Sequence, residues 1–92
     1  MANNFQEKRR EPRRDAGGRV QLEIRIGNTV EQIEGVLLDV STHGFRAQHT
    51  YSSFSSGQEL HFLHEHGEGQ ARVVWNRILA GAVETGFFVL AD

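Results

Sequence analysis

The chain has 92 residues, 38% of them hydrophobic, and no cysteine; one small core is within its means, whereas a second domain, a disulfide or a thiolate metal site is not. A formal charge of −2 argues against the domain-wide basicity of a nucleic-acid polymer binder. No apolar run reaches the roughly 18 to 20 residues that cross a bilayer as a helix, and the first residues lack the apolar centre of a secretion signal, so a soluble, cytoplasmic protein without membrane insertion is expected.

The charge is unevenly placed. Residues 1–20 hold six of the ten Lys and Arg but three of the twelve acids, which makes this stretch net +3 and the remainder net −5. Residues 1–15 are predicted to be a flexible arm, because low hydrophobicity and high charge give them nothing to bury. From residue 16 to 92 a β domain is predicted. In "RVQLEIRI" Val20, Leu22, Ile24 and Ile26 alternate with polar residues, the period of a strand with one buried face. Gly27 and Asn28 supply a turn. "VEQIEGVLLDV" reads as a second strand bent or bulged at Gly35, "FRAQHT" as a third, and "YSSFSSG" as a loop. "QELHFLHE" and "QARVVWNR" form a hairpin about "HGEG", "RILAGAVE" is read as a short connection, and "TGFFVL" closes the series. Strands with turn signals about every ten residues, and no amphipathic helix, predict an all-β fold: a small six-stranded antiparallel barrel with a basic N-terminal arm. Leu60, Phe62, Val73, Trp75, Phe87 and Val89 are its expected core.

Two motifs carry chemistry. "DVSTHG" has the pattern D-x-S-x-x-G, in which Asp39 and Ser41 project from one face where the second strand ends and Gly44 turns the backbone through positive φ. By itself such a cluster more often satisfies its own turn. "EKRREPRR" contains R-x-x-x-R twice, as Arg9 with Arg13 and as Arg10 with Arg14. An arginine fork matches a phosphate or the O6/N7 edge of guanine, and a carboxylate accepts from N–H donors such as guanine N1 and N2. Together the motifs describe a guanine-and-phosphate site better than either does alone.

The order R-x-x-x-R, D-x-S-x-x-G, "ARVVW", "TGFFV" resembles the PilZ domain, over nearly the whole chain from Lys8 to Leu90. That family is known for a six-stranded barrel that binds the bacterial second messenger cyclic di-GMP. The resemblance implies that Arg9 and Arg13 grip phosphate and guanine, with Arg10 and Arg14 as helpers, that Asp39 and Ser41 contact the guanine, and that Gly44 shapes the turn. The Arg9/Arg13 register is preferred because Pro12 precedes the second arginine. Lys8, before the first, implies an intercalated ligand dimer. The sequence stops after the last strand without the C-terminal helix that many members add, so one barrel end is expected to be open, as a self-association or partner surface. The function implied is a receptor or adaptor whose arm orders on the nucleotide and signals to a downstream protein, needing no cofactor and catalysing nothing. A PilZ-like interaction module, with an arm that binds without reading a nucleotide, is the competing reading. Asp39, Ser41 and His43 at i, i+2 and i+4 are poorly placed for a triad, and His64 with His66, on one strand face opposite His61, offers only two metal ligands.

Overall fold

The structure, a computed structural model, describes residues 14–15 and 17–90, with side chains from residue 17 onward. Lys8, Arg9, Arg10 and Arg13, and the expected mobility of the arm, lie outside the described residues. The strands are β1 (Arg14–Asp15), β2 (Arg19–Ile26), β3 (Thr29–Val40), β4 (Gly44–His49), β5 (Glu59–His64), β6 (Gly67–Leu79) and β7 (Ala82–Val89). They lie in the order β1-β3-β2-β5-β6-β7-β4, all antiparallel, and a further β3–β4 pairing closes β2 to β7 into a six-stranded barrel. Closure leaves the barrel without the unpaired edges that invite aggregation. No helix among the described residues is long and apolar enough to cross a membrane.

Alternation builds the core. Val20, Leu22 and Ile24 point inward from β2, Leu60 and Phe62 from β5, Ala71 and Val73 from β6, and Phe87 from β7, all of them buried. Each large aliphatic or aromatic side chain so buried contributes roughly 1.5 to 3 kcal/mol. Phe45, 1% exposed, is the largest fully buried side chain and stacks on Phe87 with ring centroids 4.7 Å apart. The 50–58 loop folds Phe54 back over the interior, in edge contact with His49 and Tyr51.

Register sorts the turns. The β3–β4 and β5–β6 turns and the entry of β1 fall at one end; the β2–β3 turn, the β6–β7 turn and the 50–58 loop fall at the other. Three expectations need correction. Gly35 is not the bulge: its backbone passes so close to β4 that a Cβ would lie 2.5 Å from the Gln48 carbonyl, and the irregularity falls between Leu37 and Asp39. "RILAGAVE" is not a separate connection, because β6 and β7 pair continuously to Leu79 and Ala82 about Gly81, whose φ is +75°. Trp75 is not in the core. It is 38% exposed, because a second irregularity between Val73 and Trp75 shifts the alternation.

Candidate functional site

The two irregularities are what create the site. Leu37 is fully buried, and unbroken alternation would put Asp39 beside it in the core. The extra residue, Leu38, reverses the phase, so Asp39 pairs with Arg46 on the outer face. Val74 does the same on β6: Val73 points inward opposite Phe87, and Trp75 outward opposite Gly86. A row then crosses four strands on the outside of the barrel: Asp39 pairs with Arg46, Arg46 with Gly86, and Gly86 with Trp75, while the backbone of Asp15 in β1 pairs with that of Asp39.

Each member of the row has a local reason to be there. Gly86 is the floor: a Cβ at this position would lie 2.4 Å from Cε2 and Nε1 of Trp75, so the indole lies flat against backbone that only glycine permits. Arg46 projects between the inward-facing Phe45 and Ala47. Its Nε and Nη2 donate to Oδ2 of Asp39 at 2.9 and 2.6 Å, and Nη1 donates to Glu84 Oε2 at 3.3 Å. Arg77 donates in turn to the other Glu84 oxygen. Asp39 is 5% and Glu84 8% exposed; carboxylates buried to that degree require such charge partners.

The D-x-S-x-x-G turn borders this row. The Ser41 amide donates to the Gly44 carbonyl at 2.9 Å, and its hydroxyl approaches the same oxygen at 3.4 Å. His43 reaches over β7, where its carbonyl accepts from the Val89 amide and its ring stacks near Phe88. Gly44 does not have positive φ, contrary to expectation. Glycine is required for a different reason: a Cβ would come within 2.4 Å of the Phe87 carbonyl, so only glycine lets β4 lie this close to β7.

Ser41, His43, Gly44, Arg46, Trp75, Gly86 and Phe88 surround an outer groove of about 190 Å³. Of the residues singled out by sequence, Asp39, Ser41 and Gly44 meet at this end of the barrel, and β1 brings the backbone of Arg14 against Val40 beside them. Arg46, Trp75, Gly86 and Glu84 were missed as site residues. The signals for them were the doubled apolar residues of "LLD" and "VVW", each of which breaks an alternating pattern and marks a bulge.

The histidine pair lies on the barrel end. His64 is buried against Phe45 and Phe62, its Nδ1 accepts from the His66 amide, and the two imidazoles have centroids 5.9 Å apart. Among the described residues no three His, Asp or Glu side chains converge on a metal position. Burial, helped by the charge of His66 and opposed by Glu65, pushes the His64 imidazole down from its ordinary range.

Comparison with family models gave no match, and neither did comparison with curated protein sequences. Among solved structures, the fold is similar to that of YcgR from Escherichia coli, crystallised in complex with c-di-GMP. The TM-score is 0.63 at 16% identity, and the match covers 90% of this chain and 38% of that one, so the chain spans well under half of its length. Likeness at this identity speaks for the fold, and the fold is the PilZ-type barrel that the sequence resemblance implied.

Proposed function

We propose that the chain is a cyclic di-GMP receptor. The nucleotide binds where the arm meets the outer groove, with Arg9 and Arg13 on phosphate and guanine, Arg10 and Arg14 assisting, and Asp39, Ser41 and Gly44 forming the barrel side of the site. The observation that carries this reading is the β1–β3 pairing, Arg14 with Val40 and Asp15 with Asp39: it places the residue that follows Arg13 in the chain beside the end of β3. Trp75, lying over Gly86, offers an indole face on which a purine can stack. The likeness to YcgR, whose crystal contains c-di-GMP, supports the same reading. A bound dimer is in keeping with Lys8 before the first arginine. The arm then orders on the ligand and presents a changed surface to a downstream protein, so the domain works as an adaptor and not as a catalyst.

Binding is driven by charge-assisted hydrogen bonds worth roughly 1.5 to 3 kcal/mol each, opposed by about 1 to 2 kcal/mol per ordered backbone residue. Pro12 lowers that cost by restricting the unbound arm. Calorimetry with cyclic di-GMP, cyclic di-AMP and GTP tests the reading. The expected result is selective binding of cyclic di-GMP at micromolar concentration or below, lost in Arg13→Ala and in Asp39→Ala. Equal weak binding of all three would instead leave a basic arm that takes any anion.

A further inference from the structure

Asp39 is the acceptor that the receptor reading assigns to guanine, yet its carboxylate already belongs to a chain of alternating charge. Two nitrogens of Arg46 converge on one of its oxygens, a third nitrogen of Arg46 reaches Glu84, and Glu84 is held from its other oxygen by Arg77. The chain runs over β3, β4, β7 and β6. Its four charges cancel, so none of the buried acids lacks a counter-charge. With Nε, Nη1 and Nη2 all directed at carboxylates, the fork of Arg46 is committed to the protein and not to a phosphate. Phe45 and Ala47, 1% and 0% exposed on either side, fix the backbone from which it extends. Two donors from one rigid guanidinium pin Oδ2 from two directions, and with the backbone of Asp39 held by its pairing to Arg46 this sets the direction of the carboxylate.

We propose that Arg46 is a positioning residue: it aims the Asp39 carboxylate at the N1 and N2 donors of a guanine, and so sets selectivity for guanine over purines that lack the exocyclic amine. The inference rests on the receptor reading and adds to it the origin of base selectivity. A lysine at this position keeps the charge but has no fork, so it holds the carboxylate at one point and leaves its angle loose.

The test measures the ratio of affinities for cyclic di-GMP and for its dihypoxanthine analogue, which keeps the phosphates, N1–H and O6 but has no N2 amine. In the unaltered protein the ratio is expected to be about ten- to a hundredfold, the value of a hydrogen bond to a charged acceptor. Arg46→Gln brings it within about threefold of unity, Arg46→Lys leaves an intermediate ratio, and Arg72→Gln, whose partner is Glu59 and neither Asp39 nor Glu84, leaves it unchanged. Far-ultraviolet circular dichroism confirms that each variant folds, and Arg46→Lys carries the test if Arg46→Gln does not. If Arg46→Gln or Arg46→Lys weakens both ligands equally and the ratio survives, Arg46 is a structural ion-pair residue and the inference is overturned. Failure of the unaltered protein to bind cyclic di-GMP removes the receptor reading itself, a distinct result, and this inference with it.

Discussion

The groove depends on two glycines whose missing side chains leave room for two different neighbours. At Gly86 the neighbour is a side chain. An alanine there would push the indole of Trp75 off the backbone, and because Trp75 is the sole tryptophan, its fluorescence reports the displacement directly. Gly86→Ala is expected to shift the emission maximum and to weaken cyclic di-GMP binding about tenfold, the low end of what a stacked base contributes; unchanged emission with full affinity would remove Trp75 from the site. At Gly44 the neighbour is backbone, the Phe87 carbonyl, which cannot rotate away. Gly44→Ala is therefore expected to cost about 1 to 3 kcal/mol of folding stability, as overpacking does, measured as a lower urea midpoint. A neutral result would mean that β4 and β7 can separate at this end without loss.

Elements carry a second dependence, on pH, at the end of the barrel away from the groove. The Tyr51 amide donates to His49 Nδ1, so the other ring nitrogen holds the proton and donates to Thr85 Oγ1 at 2.7 Å. Thr85 donates onward to Asn76, and Asn76 to the carbonyl of Phe54. This chain ties β4, β6 and β7 to the 50–58 loop and requires a neutral His49, whose imidazole burial pushes below its ordinary range. His64, at the opposite end beside the β5–β6 turn, is shifted the same way. Both rings take up a proton more readily in the unfolded chain, so stability is complete above the ordinary histidine value of about 6.5 and falls as the pH drops below it. Urea titrations at pH 7.5 and 5.5 should show that loss, and His49→Gln combined with His64→Gln should flatten it. A slope that persists in the double variant would place its origin elsewhere. The same elements show what the sequence disclosed. Strands were legible wherever apolar residues alternate, as in Val20, Leu22 and Ile24, and Asp39, Ser41 and Gly44 were legible as a group because six consecutive residues contain them. Trp75 was misplaced because alternation was carried through Val74, and Arg46 was overlooked because its partners, Asp39 and Glu84, lie seven and 38 positions away in the chain. The two phase shifts leave a local mark in "LLD" and "VVW", but the meeting of Arg46 with its partners is a property of strand pairing, which is not local.

For the whole molecule, the decisive feature is that a basic arm, residues 1–15 with net +2, precedes an acidic body, net −4, and that β1 pairs with the last residues of β3. A ligand that bridges arm and barrel binds only when the barrel is folded, so its binding energy adds to folding stability. At a concentration one hundred times its dissociation constant the gain is about 2.7 kcal/mol, which in a domain of this size raises the melting temperature by on the order of 10 °C. Cyclic di-GMP is expected to produce that shift, and to lose it in Arg13→Ala, a change in the arm, as fully as in Asp39→Ala, a change in the barrel. The equivalence matters, since a ligand held by the arm alone would leave the barrel's melting temperature where it was. One held by the barrel alone would be indifferent to Arg13. Added salt supplies a further discrimination: arm–phosphate attraction weakens with ionic strength, whereas base contacts within a partly buried groove are screened much less. The shift should therefore shrink in salt without vanishing. Its complete disappearance at about 0.5 M salt, where the screening length is under roughly 5 Å, would show that charge alone holds the ligand and that the groove reads no base.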